Sequence, residues 1–211
     1  MIKAIIFDLD GTLWDSTGCA VHIWERVLAR RGIVNVHTDR ETVAGLMGKT
    51  MEEIGTMLFP DLPETERTAI MDDYAAKEVE YLYENGAIIY DGVKETLKKL
   101  QKEYELFIVS NSQDGYVQAF MHAHDMEELF KDIEMSGRTG QIKGRNIRKI
   151  ISRNEIDRAV YVGDTHDDEL AAGYAGIPFI WAAYGFGRAS DPDAMISSIK
   201  DLPERVKEFF N

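Results

Sequence analysis

Asp8 and Asp10 stand two residues apart, directly after the apolar run Ile5-Ile6-Phe7. Such a run reads as a short strand buried on both faces, and Gly11-Thr12 breaks it, so the two carboxylates sit where a central strand runs out. Residues i and i+2 point to the same side of an extended chain. Both carboxyls can therefore address one small volume at the carboxyl end of the strand, where open α/β sheets bind ligands. Desolvating an isolated charge costs many kcal/mol unless a proton, an ion pair or a metal compensates, so two carboxylates here require a cation. A polar turn after an edge strand is the plainer reading of Asp-Leu-Asp-Gly; the apolar entry argues against it.

Two more polar steps follow apolar runs. Residues 106–109 read as a buried strand ending in Ser110-Asn111, where a hydroxyl and backbone N–H groups at a helix start suit a phosphoryl oxygen. Gly11 is counted with Ser110 and Asn111 as a phosphate-binding position, and a simple helix cap is the plainer reading of Ser-Asn. Residues 159–162 read as another strand, after which Gly163 lets the chain turn, Asp164 projects at the sheet edge and Asp168 lies one helical turn on. Oxygen-only ligands suit hard Mg²⁺. The competing reading is an acidic helix N-terminus favoured by the macrodipole.

The elements that must position these groups alternate. Ser16 is expected to cap a helix that ends near Arg31-Gly32, and amphipathic segments follow at 41–47, 51–59 and 64–83. No strand is expected between Trp14 and Ala87. A helical block of that length is too long for a simple crossover and reads as an inserted domain. From Tyr90 onward, helices at 93–103, 115–124, 147–153 and 170–175 alternate with strands at 106–109, 133–135, 159–162 and 178–182, and a closing helix is expected at 202–210. That alternation argues for a parallel sheet with right-handed crossovers.

The string DLDGTLWDS resembles the first motif of the haloacid dehalogenase superfamily of phosphotransferases. The resemblance implies Asp8 as nucleophile, Asp10 as general acid and base, and a bound Mg²⁺ held by Asp8, Asp10, Asp164 and Asp168. VSNS resembles the second motif, which carries over Ser110 with Asn111 as a second donor, and GDTHDDELAA resembles the form that assigns Asp164 and Asp168 while leaving His166 peripheral. Attack by Asp8 on a phosphate dianion brings like charges together, so a cation is needed. Lys143, in a loop before a helix, matches the third motif, although Gly144 stands where relatives usually have Pro; Lys149 is the fallback. The implied fold is α/β, a Rossmann-like parallel sheet core over residues 1–14 and 88–211, with an all-α cap domain over 15–87. With GIPFIWAAYGFG, the chain looks like the phosphoglycolate phosphatase-like branch.

Three competing readings are weighed. A haloalkanoate dehalogenase would lack Asp10 and the GDT motif. A sugar-phosphate mutase resembling β-phosphoglucomutase would carry a His ten residues after the general acid, where this chain has Ala20. A binding relative that lost its activity would have a broken ligand set.

Composition narrows the partners. Against 37 Asp and Glu the chain has 24 Lys and Arg, a formal net charge of −13, and such a field repels polyanions. Nucleic acid is an improbable partner, while a small phosphorylated metabolite remains admissible because Mg²⁺ and a local Lys invert the potential within one pocket. One cysteine, Cys19, excludes internal disulfides and thiolate metal clusters. No apolar run is long enough to span a membrane, and Met1 leads straight into the first strand, so a cytoplasmic location is expected. Oligomeric state is not legible. The specificity-determining residues are sought near Gly45-Leu46-Met47-Gly48-Lys49, with Lys49 either meeting a substrate anion or solvated.

Overall fold

The computed structural model describes residues 1–210. In chain order the elements are β1 (Lys3–Phe7), β2 (Trp14–Asp15), α1 (Thr17–Arg31), α2 (Arg40–Ala44), α3 (Met51–Leu58), α4 (Glu64–Asn85), β3 (Ile88–Ile89), α5 (Val93–Leu100), β4 (Glu105–Ser110), α6 (Tyr116–Ala123) and β5 (Asp132–Met135). They continue as α7 (Ser136–Thr139), α8 (Lys143–Arg153), β6 (Arg158–Gly163), α9 (His166–Ala175), β7 (Phe179–Ala182), β8 (Ala194–Ile196), α10 (Leu202–Arg205) and α11 (Lys207–Phe210).

Six strands form one sheet in the order β5-β4-β1-β6-β7-β8, every pair parallel. β1 lies between β4 and β6, with Phe7 opposite Ile108 on one side and Val162 on the other. Its side chains divide by parity, as the pleat demands. Ile5 and Phe7 pack on one face with Leu97 of α5, Phe120 of α6 and Leu202 of α10. Ala4 and Ile6 pack on the other with Ile147 and Ile150 of α8 and Ala171 and Ala172 of α9. A strand covered on both faces must be apolar throughout, which is why this run is so plain in the sequence.

Four helices lie between β2 and β3 and share their own cluster, built on Trp24, Phe59, Ile70, Met71 and Tyr74. The Trp24 and Tyr74 rings stack with centroids 3.9 Å apart. β2 and β3 pair antiparallel, Trp14 with Ile89 and Asp15 with Ile88, so the helical segment leaves and returns through one two-residue ribbon outside the six-stranded sheet.

Several local expectations need correction. Ser16 occupies the N-cap of α1 but its hydroxyl makes no capping bond; Asp15 Oδ1 accepts from the Thr17 N–H instead, at 2.9 Å. The expected closing helix is two short ones, α10 and α11, and β8 was not expected because three residues are too few to show a period. Lys143 is the first residue of α8 and not a loop residue. Among the described residues, no helix is long and apolar enough to cross a membrane.

Candidate active site

Three adjacent strands, β4, β1 and β6, end side by side, delivering Ser110, Asp8 and Asp164 to one edge of the sheet. Asp8 extends the ladder by one bond, its N–H donating to the Val162 carbonyl at 2.8 Å, so its side chain is fixed where the strand ends. Lys143 enters from the first turn of α8. Its Nζ donates to Asp8 Oδ1 at 2.7 Å and to Asp168 Oδ1 at 2.6 Å, with all three side chains buried.

Asp8, Asp164 and Asp168 each place a carboxylate oxygen within 4.8 Å of the other two. Three buried carboxylates against one ammonium leave a formal charge of −2 when all are ionised, a charge that protons or a further cation must offset. Burial and the neighbouring Asp168 carboxylate push Asp8 well above the usual carboxylate range, against the pull of Lys143. Burial raises Asp164 to about 7, again with Asp168 adding to the effect, while backbone donors from Phe186 and Gly187 lower it. The Lys143 ammonium is held ionised: burial acts against it, but Asp168 and Asp8 raise it further.

The free oxygens say where a cation fits. Asp8 Oδ2 and Asp164 Oδ1 are buried with no hydrogen-bond partner, whereas Asp164 Oδ2 accepts from the N–H groups of Phe186 at 2.7 Å and Gly187 at 3.2 Å. Buried acceptors without donors are rare, and one unpaired oxygen on each of two neighbouring carboxylates is the pattern a hard divalent ion satisfies. The donor set, all oxygen and no Cys or His, fits Mg²⁺.

The other two expected metal ligands, Asp168 and Asp10, already have hydrogen-bond partners. Asp168 is fully engaged: Oδ1 receives Lys143 and Tyr161, and Oδ2 receives the N–H groups of Asp164 and Thr165 and the Thr165 hydroxyl. It caps α9 and orients Lys143. Asp10 lies outside the cluster. Its Oδ1 accepts from Ser16 Oγ at 2.7 Å, Tyr116 OH at 2.8 Å and Trp14 Nε1 at 2.9 Å. Burial raises the Asp10 pKa despite these three donors, so this carboxyl holds a proton more readily than an exposed one.

The phosphate-binding expectations divide similarly. Ser110 is buried and lines a small cavity, roughly 50 Å³, that opens above Asp8 and Asp10. Asn111 Nδ2 donates to the Gly48 carbonyl at 2.8 Å, leaving one amide N–H, and Oδ1 accepts from Ser136 Oγ at 2.9 Å. Gly11 is also committed, its N–H donating to the Trp14 carbonyl at 2.9 Å. What position 11 requires is the absence of a side chain: φ is +81° and a Cβ would stand 2.2 Å from Asp164 Oδ2.

Lys49 reaches the cavity rim but its Nζ pairs with Asp167 Oδ2 at 3.2 Å. Lys149 instead meets Glu134 on the far side of α8, at 2.9 Å. Ala20 is buried, His22 tilts against Tyr81 with centroids 5.8 Å apart, and no imidazole lines the cavity among the described residues. Sequence reasoning assigned no role to Tyr116, Glu78 or Gln113, all of which line it. Tyr116 and Gln113 follow the Ser110-Asn111 step within six residues, a signal that helix-start residues near a strand end deserve the same scrutiny as the strand end itself.

The parallel sheet with a buried acidic cluster and a lysine at its edge defines the class: an α/β protein with a candidate phosphoryl-transfer site. Residues 5–182 match the model of the haloacid dehalogenase-like hydrolase family, and the chain belongs to that family. It is 28% identical over 225 residues to a phosphoglycolate phosphatase of Vibrio parahaemolyticus, covering 97% of this chain and 96% of the relative. In fold it is similar to a haloacid dehalogenase-like hydrolase of Streptococcus pneumoniae, with a TM-score of 0.80, 24% identity, and 97% and 98% of the two chains covered. A third likeness is to CbbY of Rhodobacter sphaeroides, solved with phosphate, with a TM-score of 0.80, 22% identity and 96% of each chain covered. The chain is accordingly a phosphoric monoester hydrolase.

Proposed function

We propose that this enzyme is a Mg²⁺-dependent phosphatase of small phosphomonoesters, of the phosphoglycolate or sugar-phosphate kind, acting through an aspartyl phosphate on Asp8. The observation that carries the reading is the pair of buried, unpartnered oxygens, Asp8 Oδ2 and Asp164 Oδ1, beside an ammonium. Asp8 and Asp164 would hold the ion, which when bound neutralises charge on the transferring phosphoryl group.

The chain's own groups then divide the work. Asp8 attacks phosphorus in line, since it stands at the strand end with its backbone fixed. Lys143 offsets the charge that this attack brings together. Ser110, at the neighbouring strand end, donates to a phosphoryl oxygen. Asp10 protonates the departing alkoxide and later takes a proton from the hydrolytic water, a role that its raised pKa and three-donor cradle support. Asp168 and Tyr161 position Lys143. Residues 15–87 act as a cap over the cavity, with 1–14 and 88–211 as the core, and closure excludes water from the intermediate.

The test is phosphate release from a panel of phosphomonoesters with Mg²⁺ and with excess chelator, followed by mass mapping of the Asp8→Asn and Asp10→Asn variants. Chelation should abolish turnover. Asp10→Asn should lose about 10²–10⁴-fold and trap phosphate on Asp8, and Asp8→Asn should form no covalent product. Full activity in chelator, or phosphate on Asp10, sinks the reading.

A further inference from the structure

Beside Asp8 and Asp10, the largely apolar lining of the cavity carries a group of oxygen acceptors. Glu78, on α4, is buried at 3% exposure and lines it. Its Oε1 accepts from the Tyr74 hydroxyl and its Oε2 from Gln113 Nε2 at 2.8 Å. Because a carboxylate only accepts, that second bond fixes the Gln113 amide and turns its Oε1 away as an acceptor. Gln113 Oε1 and Ser112 Oγ are both buried without a partner, and both residues line the cavity. Tyr74 and Tyr116 spend their hydroxyl protons on Glu78 and Asp10. The one cationic side chain on the lining, Lys49, is paired with Asp167.

A group of acceptors around a buried carboxyl suits a ligand that brings donors, and once ionised that carboxyl repels a ligand that brings a second carboxylate. Building on the phosphatase reading, we propose that Glu78 and Gln113 form the leaving-group pocket and select phosphomonoesters of polyols and amino alcohols over those of hydroxy acids. The hydroxyl or ammonium of the leaving group donates to Glu78 and to Gln113 Oε1, and the stacked Trp24 and Tyr74 rings give its carbon chain an apolar wall. Burial raises Glu78 to about 7, with the Tyr74 and Gln113 bonds pulling the other way; a donor entering the pocket favours the ionised carboxylate. Phosphoglycolate, whose carboxylate would meet these oxygens, is disfavoured.

The test compares kcat/KM with Mg²⁺ for glycerol phosphate, phosphoethanolamine, phosphoglycolate and p-nitrophenyl phosphate, in the unmodified enzyme and in Glu78→Gln and Gln113→Met. At least one donor ester should exceed phosphoglycolate by about 10-fold or more, the scale expected for a charge-assisted hydrogen bond lost or made. Which of glycerol phosphate and phosphoethanolamine leads separates a hydroxyl donor from an ammonium. Glu78→Gln should compress the ratio of donor ester to phosphoglycolate by about 10-fold, mainly through KM, and Gln113→Met should compress it in the same sense; the latter decides the matter if the former does not fold. Phosphoglycolate equal to or better than both donor esters overturns the proposal. So does an equal fall for every ester in the variants, which would make both residues structural. No phosphate from any ester, p-nitrophenyl phosphate included, removes the phosphatase reading itself and the proposal with it.

Discussion

Replacing Lys143 by Met isolates what the ammonium contributes. Lys143 is 4% exposed and bonds two carboxylates that are 2% and 0% exposed. Met keeps most of the apolar stem but removes the ammonium and its two charge-assisted hydrogen bonds, leaving Asp8 Oδ1 and one side of Asp168 facing no cation. Breaking a buried ion pair by deleting one partner costs about 3–5 kcal/mol, a large part of the roughly 5–15 kcal/mol that holds a typical domain folded. In chelator at pH 7, urea denaturation should show that loss. Near pH 5 the loss should shrink, because burial and mutual repulsion already push Asp8 and Asp164 upward, and protons then take the place of the ammonium. Saturating Mg²⁺ should recover part of the loss at pH 7 by binding the ionised pair, while turnover stays low because the cation that offsets nucleophilic attack is gone. A loss under 1 kcal/mol in chelator at pH 7, or an equal loss at pH 5, would refute the assignment of Lys143 as the buried counter-charge.

Two further expectations follow from the same edge of the sheet. Gly11→Ala forces a left-handed φ of +81° on a residue with a Cβ and drives that Cβ to 2.2 Å from Asp164 Oδ2. The backbone term alone is roughly 1–2 kcal/mol, and Mg²⁺ affinity by titration calorimetry should fall at least 10-fold; unchanged affinity would show that Asp164 does not hold the ion. In the chelator-treated enzyme, Asp164 should make stability fall as pH rises from about 5 towards 7, because folded Asp164 keeps a proton up to about 7 that the unfolded chain releases near 3.8. Carboxyls held below their usual range, such as Asp132 and Glu134, act mainly below about pH 5, while His124, lowered by burial, opposes the slope in the same window, so the slope is read against an Asp164→Asn variant. Stability that climbs with pH in chelator contradicts the buried, cation-deficient cluster.

The sheet was legible because a strand covered on both faces has no polar positions: the runs at Ile5, Leu106 and Val160 each stop at a residue that carries chemistry. Lys143 was legible from its place in the order, and the departure at Gly144 has a packing cause, since a Cβ there would meet the Tyr174 ring at 2.8 Å where α8 crosses α9. What the sequence could not show was the sharing of oxygens. Asp164 and Asp168 look equivalent as letters, yet one keeps a free oxygen and the other spends both on Lys143, Tyr161, Thr165 and a backbone amide. Glu78 and Gln113 are 35 residues apart, and nothing local to either announces the pairing. Nor could the sequence show that the Gly11 N–H turns to the Trp14 carbonyl or that the Asn111 amide reaches the Gly48 carbonyl.

The ribbon that joins the helical segment to the sheet has a mechanical side. Trp14 lies in β2 and Ser16 starts α1, and both grip the same oxygen of Asp10 that Tyr116 holds from α6. The root of the helical segment is thus geared to the carboxyl proposed to carry the proton. Were the segment to swing about that two-residue pivot, Ser16 would move with it and pull one of the three tethers, while Trp14, packed against Tyr116 and Phe120, would stay with the sheet. On the proposed cap reading, a movement that shuts the chamber would also re-aim the proton carrier, and an open chamber would hold an acid less ready to spend its proton on water.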